Sequence, residues 1–360
     1  MHLGSCGEMN KSFFTGKNVL VTGHTGFKGS WLCRELYLLG ANVYGYSLKP
    51  PTNPNLYTLA HLDDIVDSRL GDIRDFDKLY SEYEDIKPDI VIHMAAQPIV
   101  REGYRNPRET YETNVMGTVN LFECIRLIPC AKSILNVTTD KVYENLDDGK
   151  CYREYDKLNG RDPYSNSKSC SELVTHSYLK SFLENCSVST ARAGNVIGGG
   201  DFAQDRIIPD CVKAAMDKKT IFIRNPRSIR PYQHVLEPLF TYMTICKKQY
   251  GDKTFEGSYN IGPDELDCVT TGSIADMFCN YWGDGLNWTT HENNGPYEAN
   301  YLKLDNGLLK KIFGISPLWN VDSAVSKVVE WTKSWLSGAD PVESMDAQIK
   351  EYLNGRGVYV

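Results

Sequence analysis

Lys17-Asn18-Val19-Leu20-Val21-Thr22-Gly23-His24-Thr25-Gly26-Phe27-Lys28-Gly29-Ser30-Trp31-Leu32 carries a short β-branched run, then a glycine at every third position, then a helical pattern. Lys17–Val21 reads as a strand and Ser30–Leu39 as a helix closed by Gly40. A tight strand-to-helix turn needs residues without a Cβ. A dinucleotide pyrophosphate needs a backbone it can approach and a helix N-terminus facing its charge. Gly23, Gly26 and Gly29 answer both needs, and Thr25 and Phe27 of the same turn are assigned to the dinucleotide with them. The spacing is looser than Gly-x-Gly-x-x-Gly, and a ligand-free glycine turn is the competing reading. The strand before and the helix after favour the dinucleotide.

Outward from this stretch, strands alternate with helical segments. Asn42–Tyr46, Asp89–His93, Ser133–Val137 and Ser187–Ala191 read as further strands, with a strand-like run at Val66–Leu70. Such alternation predicts an α/β fold: a doubly wound parallel sheet, the Rossmann architecture, with helices on both faces. After Gly194 the pattern loosens into short segments and turns such as Asn225-Pro226 and Gly262-Pro263. The expected organisation is a flexible tail over 1–15 and a dinucleotide-binding domain over 16–194. A smaller mixed C-terminal substrate-binding lobe over 195–360 is interleaved with it.

A chain of 360 residues with 41% hydrophobic and 24% charged residues is that of a soluble globular protein. A net charge of -7 argues against nucleic acid as a partner. No apolar run is long enough for a bilayer, and Met1–Thr15 lacks the basic start and apolar core of a signal peptide. Eleven cysteines without a Cys-x-x-Cys pair suit reduced thiols in a cytoplasm. No His/Cys spacing predicts a metal site.

Asp72-Ile73 follows the Val66–Leu70 run, where a carboxylate can accept from an adenine amino group; a turn or cap role for Asp72 competes. Ala95-Ala96 ends the Asp89–His93 strand, and small residues there let a cofactor lie across the sheet. The second strand ends Tyr46-Ser47-Leu48-Lys49, without the acid that commonly holds the ribose of NAD. Lys49 could even accept a phosphate, so strand two leaves NAD and NADP open.

Tyr164 and Lys168 stand four apart in Asp162-Pro163-Tyr164-Ser165-Asn166-Ser167-Lys168, on one helix face. An ammonium near a phenol favours the phenolate and is expected to lower the Tyr164 pKa. Such a tyrosine takes a proton from an alcohol as hydride leaves its carbon. An ordinary helix start gives the same spacing by chance; the glycine turn upstream tips the balance.

Thr-Gly-x-x-Gly-x-x-Gly, Ala95-Ala96-Gln97-Pro98 and Tyr-x-x-x-Lys together resemble the extended short-chain dehydrogenase/reductases. Thr139-Asp140-Lys141, Arg192 through Asp201, and Arg224-Asn225-Pro226-Arg227-Ser228-Ile229-Arg230-Pro231-Tyr232-Gln233-His234-Val235 narrow the likeness to the CDP-glucose 4,6-dehydratases within them. The resemblance implies tightly held NAD recycled in each turnover, a CDP-sugar substrate, and a homodimer or homotetramer built from helices after Asn106-Pro107 and Tyr164. Deoxysugars of O-antigen or other surface glycans are the natural product class. It implies that Thr139 hydrogen-bonds the hydroxyl being oxidised, with Asp140 as acid and Lys141 as base, where related dTDP-glucose dehydratases carry Asp-Glu. A solvated charged loop is the plain alternative for Asp140-Lys141. Gln97, Asn195, Arg227, Arg230, Gln233 and His234 are assigned to the substrate, Arg227 and Arg230 because guanidinium forks suit a diphosphate. A 4- or 2-epimerase of the same fold, or a silent nucleotide-binding regulator, are the competing functions.

Overall fold

A computed structural model describes residues 11–290 and 299–360. Ten strands position the site: β1 (Asn18–Thr22), β2 (Asn42–Ser47), β3 (Asp67–Leu70), β4 (Ile90–His93), β5 (Ser133–Val137), β6 (Ser187–Ala193), β7 (Asn195–Ile197), β8 (Ile229–His234), β9 (Ser258–Ile261) and β10 (Cys268–Thr270). Seven form one sheet in the order β9-β6-β5-β4-β1-β2-β3, and every pairing is parallel. Order reverses between β1 and β4, the place where a doubly wound sheet opens a crevice at its carboxyl edge. Residues of β4, β5 and β6 are buried throughout. Burial on both faces lets β4 read as an apolar run, whereas β5 and β6 also bury polar residues (Ser133, Asn136, Ser189, Thr190 and Arg192) that are hydrogen-bonded.

The helix after the glycine turn begins at Phe27, not Ser30, because Phe27-Lys28-Gly29 form its opening turn. Of the expected tail, residues 1–10 lie outside the described residues. Lys11–Phe14 is a short helix whose Phe14 sits in the main core, so the tail reading is corrected there. Apolar residues in this segment bury against the sheet rather than staying in water.

The boundary expected near Gly194 is crossed by the chain. Strand β9 returns to the edge of the large sheet beside β6, and Leu236–Gly251 packs its buried face into the same core as β1 and β4. A second core gathers Ile208, Ile221, Tyr232, Phe278 and Val325. It carries the small sheet β10-β8-β7. Asn195 and Arg230 are thereby suspended over the carboxyl edge of the large sheet. Among the described residues, no helix is long and apolar enough to cross a membrane.

Candidate active site

One cleft of about 1110 Å³ runs from the glycine turn to the small lobe. Its floor is the carboxyl edge of the sheet. Gly23, Thr25, Gly26, Phe27, Gly29, Asp72, Ile73, Ala95 and Ala96 line one end, with Thr139, Lys141, Tyr164 and Lys168 between them and Asn195 and Arg230.

The turn is closed as tightly as its sequence allows. Gly23 has φ +78°, and a Cβ on Gly29 would lie 2.3 Å from the Gly23 carbonyl oxygen. Gly26 caps the Phe27–Leu38 helix without any side-chain hydrogen bond, which leaves its first N–H groups for an anion. The residues therefore fit a dinucleotide pyrophosphate. Thr25 donates to the Leu48 carbonyl at 2.8 Å and meets the Ser47 hydroxyl at 2.8 Å, joining the turn to the end of β2. His24 was not singled out from sequence. Its ring fills the space above Gly45, where a Cβ would come within 2.3 Å of it. Burial holds it neutral, with its pKa down to about 4.

Both oxygens of Asp72 are occupied by Arg74, through its backbone N–H and its guanidinium at 2.6 to 3.0 Å. Asp72 thus clamps its own turn while lining the cleft. The Gln97 side chain is committed as well. It donates to Thr110 at 2.9 Å and accepts from the Ile99 N–H at 2.6 Å. Gln97 shapes the cleft wall through its loop.

Tyr164 and Lys168 lie in the first turns of the Pro163–Ser181 helix, which Asp162 caps by accepting from the Ser165 N–H. Both are buried. Lys168 donates to the Val137 carbonyl at 3.1 Å, tying the helix to the end of β5. Burial lowers its pKa to about 8, against an upward pull from Glu172. The expected low Tyr164 pKa is corrected for the free protein. Burial raises it to about 12, the neighbouring Thr139 hydroxyl opposes this, and Asp140 adds to it. Desolvation outweighs the downward pull of Arg206 until further positive charge enters the cleft.

Thr139 caps a single helical turn at Asp140–Val142, just past β5. Its hydroxyl donates to Asp140 Oδ1 at 2.9 Å, and Lys141 Nζ donates to the same oxygen at 2.8 Å. Lys141 also reaches Asn195 Oδ1 at 3.3 Å. Asp140 is 0% exposed and its Oδ2 has no partner. It stands behind Thr139 and Lys141, which line the cleft where Asp140 does not. Its direct contact with substrate is corrected accordingly: any proton it gives passes a neighbour.

The small-lobe assignments divide. Along β8 the side chains alternate. Arg230 and Tyr232 line the cleft, and Arg230 donates to the carbonyls of Ile229 and Ala299. Gln233 points the other way and donates to the Ile261 carbonyl at 3.0 Å. His234 is fully buried between Trp31 and Trp319, at 6.0 and 4.9 Å between ring centres. Arg227 is exposed on the outside of the Asn225–Ser228 turn, away from the cleft. These three assignments to substrate are therefore corrected.

Sequence reasoning passed over cations that the fold brings in. Arg206 and Arg224 line the substrate half, held by Asp201 at 3.2 Å and Asp205 at 2.7 Å. Lys28, in the glycine turn itself, is pushed down to about 7 by burial and by Arg206 and Lys168. Arg224 stood inside the Arg224–Val235 segment; the lysine in a glycine turn was the other available signal.

A family model described as GDP-mannose 4,6 dehydratase matches residues 20–262. The chain is 44% identical over 355 residues to the CDP-glucose 4,6-dehydratase of Salmonella typhimurium, covering 96% of this chain and 99% of that protein. Among solved structures, a dTDP-glucose 4,6-dehydratase from Streptomyces venezuelae with NAD bound has a TM-score of 0.76 at 22% identity, covering 90% and 99% of the two chains. A UDP-glucose 4-epimerase from Thermotoga maritima has a TM-score of 0.77 at 18% identity, covering 89% and 99%. With two thirds of its length matched by the family model and a relative this similar end to end, the chain belongs to the GDP-mannose 4,6-dehydratase family of nucleotide-sugar enzymes.

Proposed function

We propose that this protein is an NAD-dependent CDP-glucose 4,6-dehydratase, releasing water and CDP-4-keto-6-deoxy-glucose. The observation that carries the reading is the pairing of Thr139 and Lys141 on the buried Asp140 carboxylate, set beside Tyr164 in a cleft continuous with a dinucleotide turn. The likeness to the Salmonella CDP-glucose enzyme supports cytosine as the base. Gly23, Gly26, Gly29, Ala95, Ala96 and Lys168 would hold NAD. Arg74 is saturated by Asp72 and has Glu109 and Glu112 at 3.8 Å, an environment that repels the extra phosphate of NADP.

Bound NAD would supply the hydride acceptor for C4 and, once reduced, the donor for C6, so no external reductant is consumed. Tyr164 takes the proton of the C4 hydroxyl, with Thr139 holding that oxygen. The C4 ketone acidifies C5. The Asp140–Lys141 ion pair becomes a neutral amine and a carboxylic acid when one proton crosses its 2.8 Å hydrogen bond. Seating the sugar expels water and favours that neutral form. Lys141 then takes the C5 proton, and the C6 hydroxyl leaves as water with the proton of Asp140 relayed by the Thr139 hydroxyl. Lys141 returns its proton to C5. The proton gained by Tyr164 passes through Thr139 to Asp140 and resets the site.

The decisive test is incubation with CDP-glucose in deuterated water, against UDP-, GDP- and dTDP-glucose. Loss of one water with deuterium at C5 supports the reading; unchanged mass with inverted stereochemistry would replace it with an epimerase. A homodimer or homotetramer is part of the proposal. Leu173, 57% exposed on the Pro163–Ser181 helix, and Met116, 51% exposed on the helical segment after Asn106-Pro107, support a helix-pair interface. Free cysteines support a reducing cytoplasm, and a surface-glycan precursor such as one for O-antigen is the product's natural use.

A further inference from the structure

Glu172 has no role in the proposed chemistry, yet it is buried beneath it. It follows Lys168 by four residues and Tyr164 by eight on the same helix, so the three side chains share one face. Its carboxylate is fully engaged. Oε1 accepts from the Thr138 hydroxyl at 2.5 Å; Oε2 accepts from the Thr190 hydroxyl at 2.7 Å and the Arg192 guanidinium at 2.8 Å. Thr138 is the residue before the Thr139 cap, and its N–H is fixed to the Ala191 carbonyl at 2.9 Å. Arg192 in turn donates to the Tyr143 hydroxyl at 2.9 Å and the Glu154 carbonyl at 2.8 Å. Glu172 and Arg192 are 3% and 4% exposed.

We propose, resting on the dehydratase reading, that Glu172 is a positioning residue for the oxidation step, pinning the β5 end that bears Thr139 and holding the charge of Lys168 in place. A purely structural ion pair needs neither the Thr138 bond nor a place on the catalytic face one turn from Lys168. The charged and titratable groups around Lys168 are few. His93 of β4 is buried and neutral, Lys28 of the Phe27–Leu38 helix is a like charge, and Tyr164 is a buried phenol. Glu172 alone pulls the Lys168 pKa upward.

The test compares Glu172→Gln, Glu172→Asp and the wild type in NAD affinity across pH, kcat and KM for CDP-glucose, and thermal melting. Lys168 serves the cofactor as an ammonium, so affinity falls as pH rises through its pKa. In Glu172→Gln that fall should move to lower pH, and kcat should drop by about tenfold or more with KM changed little, as for a lost charge-assisted contact. Glu172→Asp should restore the alkaline limb while leaving kcat low, because the charge remains and the reach to Thr138 does not. A folded Glu172→Gln with wild-type kcat and an unmoved alkaline limb overturns the proposal. If Glu172→Gln does not fold, Glu172→Gln/Arg192→Met removes the stranded guanidinium. Wild-type kinetics in that double variant, or its failure to fold as well, would reduce Glu172 to a structural role and overturn the proposal. The binding curves need no turnover, so a wild type inactive on every sugar nucleotide would sink the dehydratase reading and leave this one decidable.

Discussion

Replacing Lys141 by Met separates the two halves of the proposed reaction. The side chain is 27% exposed and its partner Asp140 is 0% exposed. Removing the amine strips Asp140 Oδ1 of its charged donor and leaves the Thr139 hydroxyl as that oxygen's partner, while Oδ2 has none. Breaking a buried pair from one side costs about 3–5 kcal/mol when the remaining charge stays ionised. Partial exposure of Lys141 and uptake of a proton by Asp140 both reduce this, so about 1–3 kcal/mol of lost stability is expected. Chemistry should lose far more selectively. C4 oxidation depends on Tyr164, Thr139 and Lys168, which remain. Elimination depends on a base at C5, and its loss should slow that step by about 10²–10⁴-fold. A single turnover with CDP-glucose should therefore accumulate reduced-nicotinamide absorbance without 4-keto-6-deoxy product or deuterium at C5. Lys141→Met/Asp140→Asn controls for stability: melting should recover, because no buried carboxylate is stranded, and elimination should not. Water loss by the single variant within about threefold of wild type would refute Lys141 as the base.

Tyr164→Phe should keep cofactor and sugar-nucleotide binding and lose C4 oxidation by about 10²–10⁴-fold, read from single-turnover absorbance. Gly29→Ala places a Cβ 2.3 Å from the Gly23 carbonyl oxygen and 2.7 Å from His24 Cα, so cofactor retention on desalting should be lost; unchanged retention would show that the turn can open. Burial sets Lys168 near 8 in the free protein. The protonated form binds, so NAD affinity should fall as pH rises through about 8, after any earlier fall from Lys28 of the glycine turn, which sits near 7; a rise with pH would contradict the assignment. Arg227→Ala should leave kcat/KM within about twofold, as for an exposed residue away from any site.

The parallel sheet was legible because short β-branched runs such as Ile90–His93 alternate with helical segments; β6, Ser-Val-Ser-Thr-Ala-Arg-Ala, was legible by that alternation and not by apolarity. The glycine turn was legible because no other residue fits at Gly23 and Gly29. What escaped was set by partners distant in sequence. Arg227, Gln233 and His234 sit in one segment with Arg230, and nothing local distinguishes them. The alternation of β8 and the wedge of Trp31 and Trp319 around His234 decide which side chain meets the cleft. Asp140 was legible as a functional residue but not as a sealed one, because its turn packs against β6 and the Pro163–Ser181 helix, both distant in sequence. The Tyr164 pKa was misjudged for a related reason. Pair spacing speaks of the ammonium, while desolvation depends on everything packed around the phenol.

Overall shape does not divide dehydratases from epimerases, since both resemble this chain equally. The division lies in what stands beside the oxidation machinery. An epimerase needs Tyr164, Lys168 and a sugar that can turn over in the cleft; it needs no acid for a leaving hydroxyl and no base at C5. Here Thr139 and Lys141 converge on one buried carboxylate oxygen at 2.9 and 2.8 Å. Holding a carboxylate in full burial is costly unless it is paired, and a solvated charged loop would not bury it at all. A purely structural ion pair would also have no reason to present its ammonium to the cleft with Asn195 as a second partner. The pair holds one mobile proton, and elimination of water needs one base and one acid side by side. Asp140→Asn leaves Lys141 without a proton-accepting partner. Oxidation should survive in that variant, and water loss should fall together with that of Lys141→Met. An Asp140→Asn variant that eliminates water normally while Lys141→Met does not would separate the two and leave the hydroxyl's proton to come from elsewhere in the cleft.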